Sequence, residues 1–207
     1  MGSDPDGRVF HYVDREMSPA FWLNQVGGAA LARAQESDSR AFLEIVTAQL
    51  MCALTMEAVL NHVGALVFEK ASGEPQVWAA IERLRPRDKL GAIAERLQLE
   101  LDHGSPPFQD FRPMFRFRDQ LVHGKSVYLR VDEVPDHAID EKGYVIESEL
   151  PELQTPWEQV CDVETAQRWR TSVRRMSKAL CTPIDCIDPV LAGDSTSWSA
   201  SAPRDSA

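Results

Sequence analysis

The chain has 207 residues, 43% of them hydrophobic, enough for one domain with extensions or at most two small domains. Its 22 basic and 32 acidic residues leave a formal charge of −10. That balance excludes nonspecific condensation on nucleic acid, which needs clustered Lys and Arg. Any nucleic-acid role must use a local basic patch or a site that engages few phosphates.

Residues 1–17 are mixed and rich in Gly and Asp, and are expected to form a loose N-terminal arm. Ser18-Pro19 then has the form of a helix start, Ser as N-cap and Pro at the first helical position. The stretch "AFWLNQVGGAALARAQ" carries that helix, weakened in its middle by Gly27-Gly28. From about Ser39 to Lys70, Phe42, Ile45, Val46, Leu50, Ala53, Leu54, Ala58, Leu60, Val63 and Leu66 recur at spacings of three and four. Such spacing predicts a long helix with a wide buried face. It ends at "ASGEP", where Gly73 can cap it and Pro75 can open the next helix.

"EPQVWAAIERL" predicts a short helix and "PRDKLGAIAERLQLEL" a longer one, broken before Pro86. "DHGSPP" is read as a loop, and "FQDFRPMFRFRDQLVHG" as a helix with Pro113 in its first turn and Gly124 just past its end. The texture then turns β-branched and alternating in "SVYLRV" and "YVIESEL", which predicts a small hairpin-like insertion over 126–147. "TPWEQVCDVETAQRWRTSVRRMSKALC" returns to helix and "TPIDCIDP" closes it; the Ser-rich residues 190–207 are read as a disordered tail. Five or six helices with short connections make the expected fold all-α, an antiparallel helical bundle over 18–189.

Cys52, Cys161, Cys181 and Cys186 form no Cys-x-x-Cys pair, and no histidines stand at zinc-finger spacing from them, so free buried thiols are expected. The N-terminus shows no secretory pattern. The apolar run from Phe42 to Phe68 is interrupted by Glu44, Glu57, Asn61 and His62, and no membrane span is expected. A reduced, cytoplasmic protein is the resulting expectation.

The segment "MFRFRDQLVHGKS" holds an anomaly. On a helical wheel Arg112, Arg116, Asp119 and His123 share one polar stripe, whereas Arg118 falls in the apolar arc with Phe115 and Val122. A guanidinium on an apolar face keeps its charge, so it needs an acidic partner or a wet cleft. One reading is an arginine that salt-bridges two helices, with Glu57 or Glu44 among the candidate partners. The other starts from Asp119 and His123, four residues apart, where a carboxylate reaches an imidazole across one turn. His123 also stands at a helix C-terminus, where free carbonyls favour the imidazolium. A group that transfers protons near neutral pH beside a fixed cation is what phosphodiester cleavage requires. The plainer alternative for Asp119 and His123 is a capping pair that steadies the helix end.

"RDQLVHG", Arg118 to Gly124, resembles the Arg-x4-6-His motif of the HEPN superfamily, in which a polar residue often follows the arginine, as Asp119 does here. Helical context and fold class agree over about 20–186. The resemblance implies an all-α domain that dimerises, so that two motifs face one another across a shared cleft. It implies a metal-independent endoribonuclease with no cofactor, of the kind found among toxins and defence proteins, with RNA as substrate and a cognate inhibitor protein as a further partner. Carried over to this chain, Arg118 orients and stabilises the scissile phosphate, His123 transfers a proton, and Asp119 fixes its orientation. Lys125, Arg116 and Arg112 supply local positive charge for the substrate. Glu57 and Asn61, on the long helix, support the site. The residue two after the histidine, a tyrosine in one toxin branch, is Lys125 here, and the 126–147 insertion is foreign to a minimal domain. The alternative is a catalytically silent module of the same architecture that dimerises or binds a nucleotide or protein.

Elsewhere, Asn61-His62 reads as a polar pair buried between helices. Trp78, Trp157 and Trp169 read as packing anchors. Arg170, Arg174, Arg175 and Lys178 read as a solvated face, of which Arg170 and Arg174 could line an RNA contact. No phosphate-binding Gly-rich loop and no nucleophile elbow is present.

Overall fold

The computed structural model describes residues 12–14, 18–36, 41–124, 126, 128–130, 139–145, 154–186, 188–190 and 199–201. The chain is mostly helical, as expected. Among the described residues six α-helices follow one another: α1 (Ala20–Glu36), α2 (Ala41–Gly64), α3 (Pro75–Ile81), α4 (Pro86–Arg96), α5 (Pro106–Val122) and α6 (Val163–Cys181). Two three-residue strands, β1 (Tyr12–Asp14) and β2 (Ser199–Ser201), pair antiparallel with Tyr12 opposite Ser201.

The chain separates into two compact units. The first comprises Met1–Leu23, Thr55–Leu99 and Ser177–Ala207; the second comprises Asn24–Leu54 and Glu100–Met176.

In the first unit, α2 runs on into a π-helical turn over Ala65–Lys70. The widening falls where Gly64 meets Trp78 of α3. A Cβ on Gly64 would lie 2.1 Å from two atoms of the indole ring. Trp78 is buried and stacks on Phe68, ring centroids 6.1 Å apart at 12°. The missing side chain therefore lets an aromatic layer lie against the helix backbone, where a π-turn accommodates it. Met56, Val59, Leu60, Val63, Leu90 and Ile93 are buried in this unit. α4 is shorter than its sequence suggests, stopping at Arg96, because Gln98 turns left-handed (φ 54°). Leu99 N–H then bonds to Ala94 C=O and Gln98 N–H to Glu95 C=O, a Schellman ending without glycine.

In the second unit, α1 and α2 contribute Ala30, Leu31 and Ala48 to a small-residue cluster with Ala166 of α6. Gly27-Gly28 serves this packing. The Arg170 guanidinium lies over Gly28, where a Cβ would come within 2.8 Å of Nη2, and its Nη1 donates to Asn24 C=O at 2.7 Å. Arg170 is thus a half-buried packing residue and not part of a solvated face, while Arg174 and Arg175 are exposed as expected. α5 begins two residues earlier than the sequence reading placed it. Ser105 precedes Pro106 at the first helical position, so Pro113 lies inside the helix and not in its first turn. α6 begins at Val163 and not at the preceding Thr-Pro. Asp162 caps it, accepting from Thr165 N–H at 2.6 Å and from the Thr165 hydroxyl at 2.8 Å. Asp110 of α5, buried, accepts from Arg168 Nε at 3.0 Å and from the Ser172 hydroxyl at 2.6 Å, which ties α5 to α6.

Of the strands expected over 126–131 and 144–150, Ser126 and Tyr128–Arg130 are described and form no strand, while 146–150 lie outside the described residues. Within them, Ile139 and Val145 form one antiparallel bridge around a turn in which Asp140 Oδ1 accepts from Lys142 and Tyr144 N–H. Despite its polar interruptions, Ala41–Lys70 is long and apolar enough to cross a membrane by length and composition alone; 56% of its most apolar stretch is buried within the protein, as in a core helix.

Candidate functional site

α5 sorts its side chains as its periodicity dictates. Phe111, Met114, Phe115 and Phe117 are buried, and Arg112, Arg116, Asp119 and His123 are exposed. Phe117 meets Trp169 of α6 edge-on at 5.6 Å and Trp157 at 6.5 Å, which fixes the helix's rotation. Arg118, carried toward the apolar side by that rotation, has a side chain only 17% exposed. Its guanidinium lies over the Phe115 ring, 5.2 Å from the centroid. Its Nε is 2.9 Å from Asp119 Oδ1, but the N–H is not aimed at that oxygen, so the contact is one of charge and not an aligned hydrogen bond. The Asp119 carboxylate thus faces Arg118, and its backbone carbonyl takes the His123 N–H at 2.9 Å. His123 caps the C-terminus of α5 with an exposed ring, and Gly124 follows. Val122, placed on the apolar arc by the wheel, is 59% exposed.

Beside this group is a cavity of about 340 Å³ lined by Arg112, Pro113, Arg116, Phe117, Gln120, Pro156, Gln159 and Val160. Arg112, Arg116 and Gln120 succeed one another at one-turn spacing along α5. The other wall is the segment around the short 3-10 turn Glu158–Val160, held by Gln49 of α2, whose Nε2 donates to Val160 C=O at 2.6 Å. Among the described residues neither Arg112 nor Arg116 has a carboxylate partner. The rim therefore presents two uncompensated cations and two carboxamides over an apolar floor, a set that suits a phosphate and the body attached to it. A cavity of about 460 Å³ in the first unit also has an arginine, Arg96, but that cation is paired with Glu74 at 2.7 Å.

The sequence placed Arg118, Asp119 and His123 near the end of one helix, with Arg112 and Arg116 on its stripe, and α5 with its C-cap carries all five; but the Asp119 carboxylate, expected to orient the His123 ring, faces the adjacent Arg118 guanidinium instead. Lys125 lies outside the described residues. Glu57 and Asn61 belong to the first unit, where Asn61 accepts from Lys89 Nζ at 2.6 Å; Lys89 is almost fully buried. Sequence reasoning missed Gln120 and Gln159. Gln120 was visible as the next member of the Arg112–Arg116 stripe, but Gln159 arrives from another part of the chain with no local signal. Among the described residues no three His, Cys, Asp or Glu side chains converge as metal ligands.

The four cysteines are free thiols, two of them buried. Burial pushes the Cys52 thiol up to about 12 despite the nearby Arg170 and Arg174 cations, and pushes Cys161 up to about 11. Neither is a nucleophile at neutral pH. No family model, no curated protein and no solved structure matches the chain.

Proposed function

We propose that this chain is a HEPN-like helical protein that acts as a homodimer and cleaves RNA without metal, through a composite site built from Arg118 and His123 of both copies. The observation that carries the reading is that a pre-oriented guanidinium and an exposed imidazole stand five residues apart at one helix end. Arg118 is held by the Phe115 ring face and the Asp119 carboxylate, and His123 stands five residues further along, about 140° round the helix. The RNA's own 2′-hydroxyl would attack the phosphorus while an imidazole takes its proton. The Arg118 guanidinium would bear the charge that develops on the phosphorane, and an imidazolium would protonate the leaving 5′-oxygen. Two histidines in opposite protonation states suit that sequence, which is what a two-copy site offers. Asp119 serves by orienting Arg118, and the Arg112–Arg116 cavity receives a neighbouring phosphate. Val122, apolar and exposed beside the motif, gives the second copy something to cover. The protein works in the cytoplasm under an inhibitor partner.

A second reading, a silent HEPN-like module that dimerises or binds a nucleotide or protein, draws on a specific observation. The carboxylate of Asp119 already offsets the charge of Arg118 within the chain. Cleavage of a mixed RNA pool in excess EDTA by the full chain, beside folded Arg118→Ala and His123→Ala variants, separates the two. The first reading expects cleavage that both variants lose, and the second expects none.

A further inference from the structure

α6 ends in the 3-10 turn Thr182–Ile184, after which Asp185 turns left-handed (φ 47°). Cys186 N–H bonds to Cys181 C=O at 3.3 Å, and Asp185 N–H to Thr182 C=O at 3.4 Å. This is again a Schellman ending, and its geometry brings the side chains at the first and sixth positions against each other; those positions hold Cys181 and Cys186. The 6→1 backbone bond holds their α-carbons within the span of about 7 Å that a disulfide tolerates. The segment that follows is fastened to the helix, since Asp188 Oδ1 accepts from the Ser177 hydroxyl at 2.5 Å and from Val190 N–H at 2.9 Å. Cys181 is 3% exposed, whereas Cys186 is only partly buried.

We propose that Cys181 and Cys186 form a reversible dithiol–disulfide site at the end of α6, oxidised by low-molecular-weight disulfides. In the first step the Cys186 thiolate attacks a sulfur of the disulfide RSSR, forming a mixed disulfide and releasing RS⁻, which takes up the proton that Cys186 lost. In the second the Cys181 thiolate attacks the Cys186 sulfur, closing the internal bond and releasing the second RS⁻. The protein loses two electrons and two protons, and RSSR becomes two RSH.

The order follows from access and from charge. The neighbouring Cys186 favours the protonated form of Cys181, and Cys181 in turn eases ionisation of Cys186. Burial and Asp188 still hold both thiols above their ordinary value, so closure is slow at neutral pH and quickens as pH rises. The proposal is independent of any ribonuclease activity.

The test is to incubate the full chain with oxidised glutathione at pH 8 and follow intact mass, with non-reducing peptide mapping. The expected product is lighter by about 2 Da, carries no glutathione, links Cys181 to Cys186 and reverts with dithiothreitol. Cys181→Ser should instead accumulate glutathione on Cys186, and Cys186→Ser should leave Cys181 unmodified. A wild-type chain that stays fully reduced, that keeps glutathione on Cys186, or that links either cysteine elsewhere would overturn the proposal.

Discussion

Arg118 Nε lies 2.9 Å from Asp119 Oδ1, and the guanidinium carbon lies 5.2 Å from the centre of the Phe115 ring. The cation is therefore oriented before any substrate arrives, at the cost of part of its positive field. Asp119 is more than half exposed, so solvent weakens its pull on the guanidinium. Replacing Asp119 with Asn should free that field while keeping the side chain's shape. A 2′-deoxy, uncleavable RNA analogue should then bind several-fold more tightly, a gain of about 1 kcal/mol that fades as salt rises. Fluorescence anisotropy at two salt concentrations measures it; unchanged affinity would separate Asp119 from the binding site.

Gly28 and Arg170 make a prediction whose sign depends on background. In the wild type, Gly28→Ala puts a methyl group 2.8 Å from Nη2 and forces the guanidinium off Asn24 C=O. The lost charged hydrogen bond, about 1.5–3 kcal/mol, exceeds the helix-propensity gain of about 1 kcal/mol. A net loss of about 1 kcal/mol is expected in urea denaturation. In an Arg170→Ala background the same substitution has space, so only the propensity gain remains and the change should stabilise.

Gly64 allows less accommodation, because the obstacle is the rigid indole of Trp78 and not the end of a flexible chain. Gly64→Ala should cost about 3 kcal/mol, the upper end of ordinary overpacking. Thermal unfolding of Gly64→Ala, with and without Trp78→Leu to relieve the clash, checks this. Relief by the second substitution is the specific expectation.

Cys52 predicts alkaline instability. Its thiol is held at about 12 in the folded state by burial, against an ordinary value near 9. A pKa raised on folding gives stability that is fully present below the unfolded value and is lost as pH climbs through the folded one. The chain should thus lose on the order of 4 kcal/mol through this one group between pH 9 and 12. Urea midpoints across that range should fall more steeply for the wild type than for Cys52→Ala; parallel curves would contradict the assignment.

What was legible in the sequence was mostly local. α2 announced itself through apolar spacings of three and four, and α3 and α4 through Pro75 and Pro86 at their first positions. The start of α5 was equally local, in Ser105-Pro106, but "DHGSPP" carries enough turn residues to pass for a loop. The end of α4 left no trace, because Gln98 takes a left-handed conformation that sequence usually marks with Gly or Asn. Arg118 was legible as an anomaly, since a cation among Phe115, Phe117 and Val122 needs an explanation. Arg170 was not: a local window shows it among other cations, and only the approach of α1 at Gly28 reveals it as a packing residue. Gln159 joins the cavity by a long-range contact that no local spacing encodes.

The most direct test of the central claim is single-turnover cleavage of RNA by the full chain in excess EDTA, with Arg118→Ala and His123→Ala run alongside after circular dichroism and sedimentation show them folded and dimeric. The account predicts cleavage by the wild type and a fall of about 10²-fold or more in each variant, the scale of losing a proton-transfer group or a transition-state cation. Wild-type RNA left intact, or cleavage that persists in both variants, would contradict it and leave Arg118 a structural arginine on a helix face.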